Sequence, residues 1–364
     1  MSWLGLADAR ARRFSLRGIG SDRKGERRHP DTDGYVLPRG TLLFETRMMP
    51  EARPHVLLGY EHAWPEASSL SFHAVPGGGI SVVQVTDRDV AHGAVKHVVD
   101  TRTQILRVTF SWDTPRNWAR LTVERPETHA VTSRSIKGLG PMPLERLRAL
   151  ILGETGTQRD GDVVYVALSD QIEPTGPMPS LSANTMLETA DGFRAADQIK
   201  RGDLLRTKAG DLVPVLYRVT RTVPSRGDFA PLRLRAPYFG LKEDVVAAAH
   251  QRLVIEGSEV EYLFNTDAVL VPARHLVNGF AARAEKAQPT VTYMQFILPR
   301  HETINAAGSN FESLYIGRIA RHKDRLAASL LAQIEPATLP QHAMPVHKEL
   351  HWYEAIHLAR QRAA

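Results

Sequence analysis

The chain is 364 residues long, 43% apolar and 24% charged, with a formal net charge of +6 and no cysteine. At about 150 residues per domain this length carries two packed cores, and the missing cysteine excludes disulfides, thiolate metal sites and a cysteine nucleophile. No apolar stretch reaches a membrane span and the first residues lack the sustained apolar core of a signal peptide, so the sequence predicts a cytoplasmic protein or one exported by a signal-peptide-independent route.

Residues 1–35 read as a basic, flexible arm, in which Arg10, Arg12, Arg13, Arg17, Arg23, Lys24, Arg27 and Arg28 are set against Asp22 and Glu26. Without interleaved aromatics for base stacking, a solvated arm is the better reading than a nucleic-acid contact. From Thr41 short strands with turn residues between them follow at Thr41–Arg47, His55–Tyr60, Ser69–Ala74, Ile80–Thr86, Val95–Asp100, Ile105–Trp112 and Trp118–Glu124. Apolar and polar residues alternate from Leu106 to Trp112, the pattern of a half-buried strand. Their roughly ten-residue spacing predicts an antiparallel β-sandwich of jelly-roll or lectin-like type over 36–173. Within it, Leu144, Leu147, Leu150 and Ile151 share one helical face behind Pro143, and Val163–Leu168 is a continuous apolar strand.

Pro174, Pro177 and Pro179 break the pattern and mark the domain boundary. Beyond Ser180 the chain is β-rich again to about residue 320, and 321–364 reads as helical, with Leu326, Leu330 and Ile334 four apart before Pro336 and a last helix over His347–Ala364.

The segment from Ser180 resembles the Hint family, the module shared by inteins and hedgehog autoprocessing domains, in its bacterial branch behind a β-sandwich. The resemblance rests on Ser180-Leu-Ser-Ala-Asn-Thr-Met, on Ile199-Lys-Arg-Gly-Asp-Leu-Leu205, on Ala247-Ala-Ala-His250 and on Val269-Leu-Val-Pro-Ala-Arg-His-Leu-Val-Asn-Gly279. It continues through Thr292-Tyr-Met-Gln-Phe-Ile-Leu-Pro-Arg-His-Glu302 and Glu312-Ser-Leu-Tyr-Ile-Gly317. It implies a β-rich, horseshoe-shaped Hint-like domain over 174–320, followed by the helical tail. It also implies self-processing: the module's first side chain attacks the preceding carbonyl, which makes Pro179–Ser180 the candidate bond.

The chemical positions are altered. Ser180 stands where the family has a cysteine, and a hydroxyl needs a base that a thiol can do without. Ala247 stands where the family has a hydroxyl donor, and Gln295 where it often has a histidine or aspartate. His250 and His301 are the remaining acid–base candidates. Each has a plainer reading: Ser180 as a turn or cap, His250 as a packed histidine, His301 as part of a turn held by Arg300 and Glu302. His275 reads as packing more readily than as support for a site. The resemblance implies at most a single-turnover self-cleavage, weak or lost, with Ser180, His250 and His301 as its residues. The fifteen histidines show no metalloprotease order, His347 and His351 lack a third ligand at clear spacing, and no cofactor motif is present. The partner is then the chain itself or an unidentified protein or glycan. The rival reading is a non-enzymatic carbohydrate- or surface-binding sandwich with Trp64, Trp112 and Trp118 as its apolar platforms.

Overall fold

The structure, a computed structural model, describes residues 3–20, 34–48, 54–63, 67–75, 77–87, 89–97, 103–286 and 288–363. The chain divides into two compact units, Met1–Thr175 and Gly176–Ala364.

The first unit is an antiparallel β-sandwich. Its larger sheet has seven strands, in the order 130–136, 118–125, 104–113, 39–48, 163–169, 3–8 and 12–14, and the smaller sheet has five, in the order 157–159, 55–62, 68–75, 79–86 and 90–96. Alternation sets which side chains face the core. Leu42, Phe44, Val108, Phe110 and Leu121 from the larger sheet meet Leu58, Leu70, Phe72 and Val82 from the smaller. Phe44 and Phe110 each meet Phe72 edge-on, at centroid distances of 5.2 and 5.5 Å. Helix α1 (Leu144–Leu152) starts after Pro143, buries Leu144, Leu147, Leu150 and Ile151, and ends at Gly153 in the left-handed conformation that glycine adopts without strain. The expected strand Val95–Asp100 ends at Lys96, its last three residues lying outside the described ones.

The basic arm is corrected at its start. Trp3–Asp8 is a strand with Trp3, Leu4 and Leu6 buried, paired antiparallel with Val163–Ser169. Arg12–Phe14 forms the sheet edge beside it, and the Arg12 guanidinium donates to the Leu152 carbonyl at the end of α1, 2.7 Å away. A short apolar run becomes a strand here because an open sheet edge, about 160 residues on in the chain, accepts it. Residues 21–33, with Arg23, Lys24, Arg27 and Arg28, lie outside the described ones.

The second unit holds two sheets. One has six strands, in the order 217–224, 290–297, 181–182, 245–248, 231–234 and 282–284. The other runs 212–214, 204–206, 186–189, 303–306, 309–312, 252–256, 268–272 and 348–349, with 192–195 paired onto 186–189. Leu187, Leu205, Leu253, Val269, Phe296, Ile304 and Phe311 fill its core. The site described below lies where strand Leu181–Ser182 is held between Val245–Ala248 and Thr290–Ile297.

The helical tail is shorter than its periodicity suggests. Helix α2 spans only Lys323–Ala327. The Ser329 hydroxyl donates to the Leu326 carbonyl at 2.8 Å and accepts the Leu331 N–H at 3.1 Å, drawing the backbone away from helical pairing. Leu326 from this helix and Leu331 from the turn beyond it still join Val219 and Ile297 in one apolar cluster. The final helix, α3 (Trp352–Ala363), begins where the Glu354 carboxylate accepts the His351 N–H at 2.9 Å. Lys348–Glu349 is instead a strand, parallel to Ala268–Pro272, so His347 and His351 do not share a helix. No helix among the described residues is long and apolar enough to cross a membrane.

Candidate functional site

Ser180 is 4% exposed, and its carbonyl accepts the Ala248 N–H at 2.7 Å. Its neighbour Leu181 pairs with Ala247 on one side and Met294 on the other. This register brings two glutamines onto the hydroxyl. Ser180 Oγ donates to Gln251 Oε1 at 2.5 Å and accepts from Gln295 Nε2 at 3.3 Å. Gln295 Nε2 also lies 2.9 Å from Gln251 Oε1 and 3.0 Å from the Glu312 carbonyl oxygen.

The orientation of Gln251 follows from its surroundings. Its Nε2 has two carbonyl acceptors, Arg252 O at 2.8 Å and Glu312 O at 3.2 Å, so its oxygen must face the serine. Both glutamines are buried. The Ser180 proton therefore points at a carboxamide oxygen, which does not take up protons near neutral pH. Ala247, paired with Leu181 next to the serine, is fully buried and brings only a methyl group.

The candidate histidines are not joined to this serine by any hydrogen bond among the described residues. His250 Nδ1 stands 3.5 Å from Asp228 Oδ2 and 3.4 Å from the Asp228 carbonyl oxygen, and the Arg274 guanidinium pairs with the same carboxylate. His250 is thus matched to Asp228, and the next residue, Gln251, faces the Ser180 hydroxyl.

His301 belongs to a charged network. Its Nδ1 accepts the Val346 N–H at 3.0 Å, which leaves the ring proton on Nε2, 3.2 Å from Glu312 Oε1. Arg252 bridges Glu312 Oε2 at 2.5 Å and Glu349 Oε1 at 2.7 Å. Burial alone would raise the Glu312 carboxyl, but Arg252 and then His301 outweigh it and bring the group down to about 2. Beside His301, His342 Nδ1 accepts the Ile316 N–H and its Nε2 donates to the Leu298 carbonyl at 3.0 Å. Both ring nitrogens are committed, and burial lowers the His342 pKa. Burial, with Arg274 beside it, likewise lowers His275 to about 4.

The sequence reading therefore placed Ser180 and Gln295 in one site and missed Gln251, Arg252 and Glu312. A count of residues from Ala247 selects His250, but the turn after Val245–Ala248 presents the following side chain. The pairing of Arg252 with Glu312 spans sixty residues and leaves no local trace.

Among the described residues no group of three or more His, Cys, Asp or Glu could hold a metal ion. Of the sandwich tryptophans, Trp112 is fully buried and donates its indole N–H to the Leu37 carbonyl at 3.0 Å, so it offers no sugar platform. Trp118 is half-buried with the Arg120 guanidinium 5.3 Å from its ring centre, and Trp64 lies outside the described residues.

Comparison with known proteins matches the Hint domain family over residues 179–318. No curated protein matches the chain. Among solved structures, the MchDnaB-1 intein is 16% identical, with 37% of this chain and 99% of that chain covered and a TM-score of 0.25. The Msm DnaB1 intein splicing domain bound with zinc is 16% identical, with coverages of 36% and 98% and a TM-score of 0.24. The CBM40 of the Ruminococcus gnavus IT-sialidase is 11% identical, with coverages of 37% and 78% and a TM-score of 0.27.

Proposed function

We propose, from the premise that residues 179–318 form a Hint domain, that this domain no longer processes the chain and keeps the Pro179–Ser180 bond intact. The observation that carries this reading is the 2.5 Å hydrogen bond from Ser180 Oγ to Gln251 Oε1. An acyl shift at this bond forms an ester between Ser180 Oγ and the Pro179 carbonyl carbon and breaks the bond from that carbon to the Ser180 nitrogen. The hydroxyl proton must leave and the departing nitrogen must gain one. Carboxamides do neither. The serine instead ties three segments of the Hint fold together, as one member of a buried amide cluster. The two β-rich units then remain one covalent chain, and any binding role is carried by the joined pair.

The test is to return proton-carrying chemistry to the cluster. S180C supplies a nucleophile that ionises near neutral pH, and Gln251→His puts an acid–base group where the hydroxyl now meets an amide. The double variant, incubated with hydroxylamine and read by intact mass, should split after Pro179, whereas the wild-type chain should stay whole. A correctly folded double variant that stays whole shows that loss of these two groups is not what holds the junction.

A further inference from the structure

Helix α3 carries two apolar faces. Ala355 and Leu358 are buried with Leu350 in the core of the second unit. The opposite face, turned to solvent, holds the larger residues: Trp352, Tyr353 and Ile356 are 39%, 48% and 42% exposed. An ordinary surface helix has the reverse distribution, with its apolar bulk inside and polar residues outside. The seat of the helix is fixed without help from this face. The Arg362 guanidinium donates to the Glu256 carbonyl and lies 4.0 Å from Glu259, and the Glu354 carboxylate takes Lys348 at 2.7 Å.

The exposed face has an internal order. Residues four apart form the ridges along which helices pack, and one ridge here reads Trp352, Ile356, Arg360. Ile356 stands in its middle, with Trp352 and Arg360 each about 6 Å away along the axis, at a rise of about 1.5 Å per residue. Tyr353 and His357 run beside this ridge, and Glu354, the only acid in the helix, lies off it. A ridge with an apolar centre, an aromatic ring at one end and a cation at the other is complementary to its own reverse. Turning it end for end about Ile356 sets an indole against each guanidinium, a favoured cation–ring contact. A two-fold axis performs that operation, since across it residue i meets j while j meets i.

We propose that this face is the contact between two copies of the chain, joined by antiparallel α3 helices about a two-fold axis at Ile356. Each Ile356 packs on the other, and each Trp352 ring receives the guanidinium of Arg360 from the opposite copy. A flat lipid surface gives no reason for the cation to stand in line with Trp352 and Ile356, whereas self-pairing does. One helix pair buries less than a standard interface, so the association is weak and depends on concentration.

Sedimentation equilibrium of the full chain from about 1 to 300 µM should show a mean mass rising from one chain toward two, the range of a small contact. Ile356→Glu and Ile356→Lys each bring like charges together at the axis, and each alone should weaken the association by about tenfold or more. An equimolar mixture of these two variants should restore it, because opposite charges then meet. Arg360→Gln, which leaves the apolar centre alone, should weaken it by a smaller factor. Ile356 and Arg360 are exposed, and thermal melts confirm that the variants fold. A wild-type chain that stays single over this range, an association unmoved by the Ile356 variants, or a mixture no better than its components would each overturn the proposal. A chain that stays single yet sediments with phosphatidylglycerol vesicles would also overturn it and give the face to a membrane.

Discussion

Two clusters meet at Glu312 and have opposite chemistry. On the backbone side, the Glu312 carbonyl accepts from Gln251 and Gln295, which surround Ser180. On the side-chain side, its carboxylate is held by Arg252 and His301, with Glu349 beyond. The first cluster surrounds the serine at the proposed reacting position and contains only neutral amides and a hydroxyl. The second is rich in charge and proton carriers, but they are bound to one another and to the 342–349 segment. Chemistry requires a proton carrier at the reacting atom. Here such carriers are present in the domain and spent on structure.

The largest expected effect separates the clusters by stability. Arg252→Met should destabilise the second unit by about 3–5 kcal/mol, because it takes the guanidinium from the buried Glu312, which keeps only His301 beside its carboxylate, and from the partly buried Glu349. Chemical denaturation monitored by far-ultraviolet circular dichroism measures this. A loss below about 1 kcal/mol would mean that the charged network is not what holds the 342–349 segment.

The next effect is a pH dependence. The folded-state pKa of His342 lies below its ordinary value of 6.5. The unfolded chain therefore binds a proton at mildly acid pH that the folded chain refuses. Stability is full above pH 6.5 and falls as the pH drops toward the folded pKa, by at most about 1.4 kcal/mol per pH unit for one such group. Glu312, lowered to about 2, contributes nothing to a slope in that window, since its share is lost only below the ordinary carboxylate range. The melting temperature measured from pH 7.5 to 5 should therefore fall, and His342→Gln should flatten the fall. An unchanged slope in that variant would move its origin to another histidine, such as His275.

The smallest effect belongs to the amide cluster. Ser180→Ala removes two neutral hydrogen bonds, the one to Gln251 and the longer one from Gln295, while Gln295 Nε2 keeps Gln251 Oε1 and the Glu312 carbonyl as partners, so the cost should be about 0.5–1.5 kcal/mol with no change in its pH profile. A pH-dependent cost would reveal a titrating partner and erase the contrast between the clusters.

The same contrast explains what could be read from the sequence. Local patterns locate the elements of the sandwich: the apolar face of Leu144–Leu152 reappears because burial on one face leaves a periodic trace, whereas the strand over Leu106–Trp112 forms but is not half-buried, its polar Arg107, Thr109 and Ser111 being buried as well. Trp3–Asp8 left no such trace, being recruited by a sheet edge formed much later in the chain. Around residue 330 the periodicity was present but Ser329 turned the chain out of the helix. At the candidate site, the ordered motifs located Ser180 and Gln295, while the choice between His250 and Gln251 depended on a turn, and the Arg252–Glu312 pair depended on sheet register.

On the proposed reading, Pro179–Ser180 persists because the serine hydroxyl faces amides. Intact-mass spectrometry of freshly purified wild-type chain, with and without hydroxylamine, addresses it directly. A single full-length species is expected in both samples, and the same species for Ser180→Ala. Scission after Pro179 in the wild type that disappears in Ser180→Ala would contradict it and establish a working self-cleaving Hint domain.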